Sequence, residues 1–435
     1  MSDSKKNAPK RRFEEFSNAN DWEQRKLAET KTFFTDGNYG KSYPSSSDIT
    51  NQENGVPFLR GSDFHKGYLD ASNANYITFE KHAKLTSGHI KQDDIVLVVR
   101  GSLGTLGYAK AENIGWNINS QLAILRTDKD ELDGKYLIQY LLSTCGQKEI
   151  LSRNTGTALK QLPIKQLKDI SIPFTLIEEQ KQIGAFFMQL DSTIALHQRK
   201  LEKIKALKTA YLSEMFPAEG ELKPKRRFAG FTDDWEQRNL MSVFEFPVST
   251  NSLSRSQLNY DNGEIKSVHY GDILVNYDSI LEIAKDRIPF ITNGVIDKYK
   301  PNLLENGDLI FADAAEDETV GKAVEVGGKT NEYIVAGLHT IVARPRRKMA
   351  KFFWGYYINS SIYHNQLLRL MQGTKVASIS KSNLQKTYVT YPDNFVEQQK
   401  IGAFFKQLDN TIALHQRKLK KLQNIKKAYL NEMFI

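Results

Sequence analysis

The chain contains the same block of sequence twice, and this internal repeat constrains the fold more than any other feature. Residues 183–201 return almost unchanged as residues 401–419. Shorter segments repeat in the same order: KRRF at 10–13 and 225–228, DWEQR at 21–25 and 234–238, and Glu-Met-Phe at 214–216 and 432–434. Because a long, ordered repeat specifies one supersecondary arrangement twice, each half of the 435 residues is predicted to form the same structure.

Weaker similarities place an α+β domain before each long repeat. The apolar runs IVLVV at 95–99 and LIFA at 309–312 are typical of buried strands, and the segments that begin at Lys135 and Lys351 have the pattern of amphipathic helices. Two stretches show no obvious similarity to each other, 28–90 and 241–305. The repeated segments are therefore expected to have the same function in both halves, and the divergent segments to have two different functions.

Apolar residues of the long repeat follow a heptad pattern, with spacings that alternate between four and three residues. The predicted helix–helix seam consists of Ile183, Phe187, Leu190, Ile194, Leu201 and Ile204 in one copy and of Ile401, Phe405, Leu408, Ile412, Leu419 and Leu422 in the other. Neither segment contains proline, so each is predicted to be one helix of roughly 35 residues and ~50 Å. Two such seams in one chain most simply pair with each other. His197 and His415 lie at equivalent seam positions and are expected to be buried, hydrogen-bonded side chains rather than a metal site.

Two interpretations of the helices remain open. The helices either only bury each other's apolar seams, or they also set the distance between two working domains. A rod of ~50 Å with a domain at each end is longer than one DNA turn of ~34 Å.

The overall charge is that expected of a protein that binds a polyanion. The chain has 60 lysine and arginine residues against 51 acidic ones, a net charge of +9, and a pI of about 9.1. The single cysteine, Cys145, excludes an internal disulfide and a cysteine-based zinc site. No run of ~18 apolar residues is present, so no membrane span is predicted. The first residues are polar and lack the apolar core of a secretory signal, and these features together predict a cytoplasmic protein.

Three segments approach catalytic motifs without completing them. GNYGKS at 37–42 resembles the end of a phosphate-binding loop, but Thr35 stands where the first glycine is required. GSLGTLG at 101–107 is more typical of a tight turn between strands than of a dinucleotide site. PDNFVEQQK at 392–400 approaches a nuclease motif, but its acid–lysine spacing is one residue too long. The chain is therefore predicted to catalyse no reaction by itself.

With the repeat and the paired helices in place, the chain resembles the specificity subunits of type I restriction–modification systems over essentially its full length. DWEQRKL after KRRF resembles the opening of a recognition domain. Residues 155–183 resemble the closing motif of such a domain: a turn with glycine and serine or threonine, an Ile-Pro strand, and Glu-Gln at the start of the spacer helix. Residues 372–401 match in the second half, although Tyr391-Pro392 replaces the usual Ile-Pro.

This resemblance implies an α+β protein in which two globular target-recognition domains are joined by two long helices. The helices would form an antiparallel coiled coil, and the internal repeat would give the molecule pseudo-twofold symmetry. The implied boundaries are a basic, disordered N-terminus at 1–20, the first recognition domain at 21–176, the central spacer helix at 177–216, a linker at 217–233, the second recognition domain at 234–394 and the C-terminal spacer helix at 395–435.

The resemblance also implies the partners. Each domain would read one half of a split, asymmetric site in double-stranded DNA, and the helices would set the spacer and dock two methyltransferase subunits. Those subunits would carry S-adenosylmethionine and methylate adenine N6, and motor–nuclease subunits that use ATP and Mg²⁺ would join for restriction. No cofactor is expected on this chain itself.

Two other functions remain as alternatives. The chain could be a coiled-coil scaffold that brackets two protein-binding domains without touching DNA, and DNA-cellulose binding that falls steeply with salt would distinguish the two functions. It could also recognise structured RNA, which competition between duplex DNA and RNA would test.

Base contacts are expected from basic and polar side chains on exposed loops. In the first domain the candidates are Arg60, Lys66, Arg100, Ser102, Thr105, Arg153, Thr157 and Lys160. In the second domain they are Arg255, Lys266, Asn276, Tyr277, Lys375, Ser378 and Lys381. For each residue the alternative is a solvated surface group without a role in binding.

Overall fold

The computed structural model describes residues 8–156, 160–373 and 376–434, and the chain divides into two compact units. Unit 1 comprises residues 1–198 and 417–435, and unit 2 comprises residues 199–416. We call their globular parts domain 1 and domain 2. Because both unit boundaries fall inside long helices, each unit contains one domain, the first part of the helix that follows it and the last part of the other long helix.

Domain 1 is built on two sheets. Its strands are β1 (Glu23–Lys26), β2 (Phe33–Asp36), β3 (Ile49–Thr50), β4 (Gly55–Leu59), β5 (Phe64–His65), β6 (Tyr68–Leu69), β7 (Asn75–Thr78), β8 (Ile95–Val98), β9 (Leu106–Tyr108), β10 (Asn117–Ile118), β11 (Leu122–Arg126) and β12 (Ser171–Phe174). The helices are α1 (Phe79–Lys84), α2 (Gly134–Leu142), α3 (Thr144–Ser152), α4 (Ile164–Lys168) and the long α5 (Ile177–Glu214). One sheet has the order β2-β11-β8-β9-β6-β5, the other has the order β10-β4-β7-β3, and β1 pairs separately with β12.

Domain 2 has the same arrangement of a larger and a smaller sheet, but the strands at the edges of the two sheets differ from those of domain 1. Its strands are β13 (Glu236–Asn239), β14 (Phe244–Glu245), β15 (Leu258–Asn259), β16 (Ile265–Val268), β17 (Ile280–Glu282), β18 (Phe290–Ile291), β19 (Leu309–Ala312), β20 (Ala314–Ala315), β21 (Ala323–Gly327), β22 (Tyr333–Ala336), β23 (Thr340–Pro345), β24 (Ala377–Ser378) and β25 (Tyr388–Tyr391). The helices are α6 (Leu240–Val243), α7 (Tyr270–Val275), α8 (Ile296–Tyr299), α9 (Phe353–Ile358), α10 (Ser361–Leu368), α11 (Lys381–Leu384) and the long α12 (Phe395–Met433). The sheets have the orders β14-β23-β19-β21-β17 and β15-β18-β16-β22, with the pairs β13-β25 and β20-β24.

A buried aspartate stands just before the central strand of each larger sheet, at equivalent positions of the sequence repeat. Asp94, just before β8, accepts two hydrogen bonds of 2.7 Å from the Arg126 guanidinium at the end of β11. Asp308 and Arg344 form the same pair in domain 2 at 2.8 and 2.7 Å. A buried carboxylate is tolerated only when it is paired and hydrogen-bonded, so these pairs hold neighbouring strands in register in both domains.

The helices α5 and α12 pair in antiparallel fashion within each unit. In unit 1, Phe186 packs against Tyr429 at a ring distance of 5.3 Å, and Asp191 accepts a 2.6 Å hydrogen bond from Lys426. Residue numbers rise along α5 as they fall along α12, which is the antiparallel order. Unit 2 contains the equivalent pairs, Tyr211 with Phe404 at 5.2 Å and Lys208 with Asp409 at 2.5 Å.

The twelve residues of the predicted seam are all removed from solvent to some degree. Buried are Ile183, Phe187, Leu201, Ile401, Phe405 and Leu419. Half-buried are Leu190, Ile194, Ile204, Leu408, Ile412 and Leu422, and the two histidines His197 and His415. Within the described residues no helix is both long and apolar enough to cross a membrane.

A buried carboxylate fastens the first turn of α5 to domain 1. Glu179 is fully buried. It accepts hydrogen bonds from the Arg12 guanidinium at 2.6 and 2.7 Å and from Trp22 Nε1 at 3.2 Å. The equivalent cluster of unit 2 consists of Arg227, Trp235 and Glu397. The KRRF, DWEQR and Glu-Gln segments of the sequence repeat therefore meet in one junction.

The Glu-Met-Phe end of α12 completes the core of domain 1. The Phe434 ring lies 5.4 Å from the Tyr136 ring and 5.9 Å from the Phe187 ring, and Phe434 is 3% exposed. Arg11 fixes this end, because its backbone N–H donates to the Glu432 carbonyl at 2.9 Å and its guanidinium pairs with the Glu432 carboxylate at 2.6 Å. In unit 2 the end of α5 makes the corresponding contacts through Glu214, Met215 and Phe216.

The prediction of a disordered N-terminus at 1–20 is wrong for the residues of the KRRF motif. Arg12 binds the buried Glu179, and Phe13 packs against Phe186 at a ring distance of 5.9 Å. Glu14–Phe16 form a turn of 3-10 helix. The segment is basic and polar, but its arginines have carboxylate partners that are distant in sequence, which composition alone does not reveal.

Replacement of Phe434 by alanine is expected to destabilise unit 1. Removal of a fully packed aromatic side chain costs ~3–5 kcal/mol of unfolding free energy, measured here by urea unfolding. Hydrogen exchange is expected to increase in α2, which carries Tyr136. Leu414→Ala is the control, because Leu414 is 44% exposed. Equal effects of the two substitutions would contradict the assignment of Phe434 to the core.

Candidate nucleic-acid interface

Polar loops meet at one end of the larger sheet of domain 1. The turn between β8 and β9 carries Arg100 and Ser102, both exposed, and the half-buried Thr105. The Arg100 guanidinium lies over the ring of Tyr39, 5.0 Å from its centre. An isolated backbone bridge joins Arg100 to Gln161. The bridge places the β8–β9 turn beside the loop that follows α3.

The loop after α3 carries the predicted residues Arg153 and Lys160. Thr155 and Gln161 exchange two backbone hydrogen bonds of 2.8 Å, which close this loop at its base. Lys160 is exposed. Arg153 is half-buried, and its guanidinium pairs with Glu149 at 2.9 Å, so it is less available to a ligand. Thr157 lies outside the described residues.

Two further predicted DNA-binding residues of domain 1, Arg60 and Lys66, are less suited to a binding surface around Arg100. Arg60 follows β4 at the same end of the domain, but its guanidinium is held by Asp63 at 3.3 Å and by the Asn73 carbonyl at 2.6 Å. Lys66 is exposed in the β5–β6 hairpin. The neighbouring Gly67 carbonyl accepts a hydrogen bond from the backbone N–H of Tyr108, at the end of β9 remote from the Arg100 turn. Lys66 therefore does not belong to the surface around Arg100.

The equivalent end of domain 2 presents a different set of side chains. Asp313 directly follows β19 and His339 directly precedes β23, where domain 1 has Val99 and Gln121. His339 Nδ1 lies 3.1 Å from the Asp313 carboxylate, and the Tyr270 ring lies 5.2 Å from the His339 ring. Burial raises the pKa of Asp313, and the nearby His339 opposes that shift. The acidic residues Glu316, Asp317 and Glu318 follow in the turn before β21.

Four predicted residues of domain 2 are polar groups with partners inside the domain. The Arg255 guanidinium makes two 2.8 Å hydrogen bonds to the buried Asp272, and Asn276 donates to the same carboxylate at 2.9 Å. The half-buried Lys266 donates to the Ile283 carbonyl at 3.4 Å, and the exposed Lys381 donates to the Phe246 carbonyl at 3.2 Å.

The remaining three predicted DNA-binding residues of domain 2 differ in whether the structure exposes them. Ser378 is exposed on β24 and pairs with Ala314, close to Asp313. Tyr277 is 3% exposed within a core cluster, and its hydroxyl donates to the Arg287 carbonyl at 3.2 Å. Its prediction as a base-contacting residue is wrong, because the ring is part of the apolar core. Lys375 lies outside the described residues.

Sequence reasoning missed Tyr39, Asp313 and His339. A signal for Asp313 and His339 was present, because each stands immediately next to a buried strand, as Arg100 nearly does in domain 1. Tyr39 lies in the part of domain 1 that has no counterpart in the repeat, so nothing in the sequence marked it. No cluster of three or more His, Cys, Asp or Glu side chains that could hold a metal ion occurs in the described parts of the chain.

The chain was compared with known proteins. The family model described as the type I restriction modification DNA specificity domain matches residues 19–206 and 232–424. The specificity subunit of type I restriction enzyme MjaVIII from Methanocaldococcus jannaschii is 23% identical over 386 residues, covering 84% of this chain and 85% of that protein. The putative MjaX specificity subunit of the same organism is 23% identical over 422 residues, covering 94% and 92%.

A solved structure has the same fold. The crystal structure of the S subunit of a type I restriction-modification system from M. genitalium aligns with a TM-score of 0.62 at 17% identity, covering 98% of this chain and 99% of that one. The two matched segments coincide with the two copies of the repeat. The chain therefore belongs to the type I restriction modification DNA specificity domain family and contains two copies of that domain.

Proposed function

We propose that this chain gives a type I restriction–modification complex its DNA sequence specificity, with each domain reading one half of a bipartite, asymmetric site in double-stranded DNA. One observation carries the proposal. The two domains share their junctions with the long helices, but they present different polar side chains at equivalent places of the larger sheet. Two different chemical surfaces on one repeated framework are what the recognition of two unlike half-sites requires.

The side chains at these surfaces suit the edges of bases. An arginine donates two hydrogen bonds to guanine O6 and N7, whereas carboxylates accept from the amino group of cytosine. In domain 1, stacking on Tyr39 pre-orients the Arg100 guanidinium. In domain 2, Asp313 and the acidic turn after it supply acceptors, and His339 offers a second polar group. The net charge of +9 favours binding to the DNA phosphates, which adds affinity without sequence information.

The proposal assigns catalysis to partner subunits. Two methyltransferase subunits would dock on the long helices and carry S-adenosylmethionine, and motor–nuclease subunits would bring ATP and Mg²⁺. The helices would set the spacer between the half-sites, and this chain would position the DNA without taking part in methyl transfer.

Exchange of the two domain interiors tests the proposal. Residues 28–176 and 241–394 would be swapped between their nearly identical junctions, and the chain would be expressed with its methyltransferase subunits. We expect the complex to assemble and the two half-sites to trade places in the methylated sequence, as measured by methylome sequencing. Omission of the methyltransferase subunits is the control and is expected to give no methylation. An unchanged site would show that the domains are not independent readers.

Arg100→Ala is expected to relax recognition at one base pair of the first half-site. Loss of a bidentate arginine–guanine contact costs ~1–3 kcal/mol of discrimination, so binding to the altered base pair would approach that to the original one. Arg100→Lys keeps the charge but loses the bidentate geometry, so it should relax the site nearly as much. Lys66→Ala, at the other end of the sheet, is the matched control. Equal salt-dependent weakening on all sequences would indicate a phosphate contact instead.

A further inference from the structure

Domain 2 contains a cavity that the proposed reading of DNA does not use. It has a volume of about 440 Å³ and is lined by residues 305–308, 325–328 and 344–352 together with Trp354. This size is typical of sites for small molecules. The lining combines apolar side chains, among them Met349 and Phe352, with several cationic ones and three carboxylates. Glu305 and Asp308 pair with Arg344, and Glu325 accepts backbone N–H groups.

The cavity lies at the end of the sheet opposite to the candidate DNA surface. Loop 305–308 leads into the start of β19, whereas Asp313 follows the end of this strand. In the same way segment 346–352 follows the end of β23, whereas His339 precedes its start. A molecule in the cavity would therefore be separate from a half-site that is read by Asp313 and His339.

Two groups at the inner wall are unusual. Trp354 is 1% exposed, and its indole N–H has no hydrogen-bond partner among the described residues. Buried donors are almost always hydrogen-bonded, so this N–H lacks the partner that a buried donor usually has. Phe352 has a backbone φ of +74°, which is unfavourable for an aromatic residue, and the buried Glu325 holds it by accepting its N–H at 2.6 Å. This backbone conformation places the Phe352 side chain among the residues that line the cavity.

The mouth of the cavity is cationic. Arg346, Arg347, Lys348 and Lys351 are exposed there. Within the described ranges, Lys348 and Lys351 form no ion pair. Arg347 pairs with Asp393, which is itself 61% exposed. Arg346 pairs with the exposed Glu245 at 3.5 Å and donates to the Met241 carbonyl at 2.9 Å. Since exposed ion pairs are weak, these cations can be redirected to an anionic ligand at little cost.

Domain 1 lacks each of these features at the equivalent positions. Tyr108 replaces Glu325, since each pairs with the first residue of the central strand. Leu137 replaces Trp354 in the matching helix, since the preceding residues Tyr136 and Phe353 pack against the equivalent Trp22 and Trp235. Counted from the equivalent Arg126 and Arg344, Asp128 and Asp130 replace Arg346 and Lys348. These lining residues thus differ between the domains, whereas Asp308 and Arg344, which also line the cavity, recur in domain 1 as Asp94 and Arg126.

We propose that this cavity of domain 2 binds a small organic phosphate of the nucleoside monophosphate class. The phosphate would lie among the cations at the mouth, and a planar base would lie against Met349 and Phe352. The proposal concerns free nucleotides and is independent of how the domains recognise DNA.

Titration of the full-length chain with adenosine monophosphate tests the proposal. The chain contains four tryptophans, so the indole N–H signals can be followed individually by NMR with ¹⁵N-labelled tryptophan. We expect the signal of Trp354 to shift, with those of Trp22, Trp116 and Trp235 unchanged. Calorimetry should show that adenosine and inorganic phosphate each bind at least tenfold more weakly than the nucleotide.

A double variant provides the second arm of the test. Lys348→Asp with Lys351→Asp reverses two exposed cations of the mouth that form no ion pair among the described residues and should weaken nucleotide binding at least tenfold at an unchanged melting temperature. Lys298→Asp with Lys300→Asp changes the charge of unit 2 by the same amount on another exposed surface and should leave binding intact. The proposal is overturned if the Trp354 signal does not move at millimolar nucleotide, if inorganic phosphate binds as tightly as the nucleotide, or if both double variants bind alike.

Discussion

A chain cut after Phe216 is expected to form a homodimer. In the intact protein the end of α12 completes unit 1 through Lys426, Tyr429, Glu432 and Phe434. The end of α5 carries the same residue types at the same spacing, Lys208, Tyr211, Glu214 and Phe216. Because α5 is one helix of 38 residues, its end cannot fold back onto its own beginning. A second copy of the truncated chain can supply the missing contacts.

Sedimentation or light scattering would measure the mass of the truncated chain, and a dimer is the expected result. Lys208→Asp should prevent the dimer, because it places a second carboxylate against Asp191. Adding Asp191→Lys reverses both charges and should restore it, which separates pairing from a general folding defect. With methyltransferase subunits, two identical copies of domain 1 related by a twofold axis should methylate a palindromic site. A folded, stable monomer of residues 1–216 would contradict the equivalence of the two helix ends.

Insertion of four residues after Lys200 and, at the equivalent point, after Lys418 is expected to lengthen the DNA spacer. Each insertion adds about one helical turn, or ~6 Å, and base pairs rise by ~3.4 Å. The half-sites should therefore move apart by about one to two base pairs. The insertion is a stutter that unwinds the heptad locally without destroying the seam. It falls between the ion-pair positions 191 and 208 on α5 and between 409 and 426 on α12, so the pairs of both units are kept.

Methylome sequencing would read out both the half-sites and the gap between them. Both half-site sequences should stay the same, because neither domain is altered. Insertion of four residues in α5 alone is the control and should impair assembly, since the two helices would no longer match in length. A doubly extended protein that methylates DNA with its original spacer would show that the helices do not determine the spacing.

The sequence predicted best those elements that are encoded by a pattern of neighbouring residues. The heptad positions from Ile183 to Leu422 were predicted from their spacing alone, and the buried strands β8 and β19 from their apolar runs. Each of these patterns reports the environment of residues that are close in sequence. The repeat added long-range information, since it required both halves to have the same plan.

The junctions could not be predicted for a physical reason. The pairing of Arg12 with Glu179 and the packing of Phe434 on Tyr136 join residues that are far apart in sequence. The repeat marked all of these segments but did not say which would meet. The same limit explains the wrong expectation of disorder around Arg12, because a basic segment is predicted to be solvated unless its partners are known.

The candidate DNA surface was predicted only in part. Arg100 and Lys160 lie together on an exposed face, because a glycine-flanked turn after a buried strand reports exposure well. The prediction that Tyr277 contacts DNA was wrong. A tyrosine next to an asparagine resembles a polar loop in the sequence, whereas the backbone directs its ring into the core. Lys66 is exposed as predicted but lies away from Arg100, because exposure in a hairpin does not say at which end of a sheet the hairpin lies.

The composition of the two units has a consequence for synthesis of the chain on the ribosome. Unit 2 is one continuous stretch, but unit 1 is completed only by residues 417–435. Domain 1 and the first part of α5 therefore emerge well before Met433 and Phe434 can cover Tyr136 and Phe187. After Gln198 the ribosome adds a further 236 residues up to Phe434, which takes on the order of 10–50 s at typical rates. During that interval nascent domain 1 exposes an apolar surface, and the first matching Met-Phe end to leave the ribosome is that of α5, at 215–216.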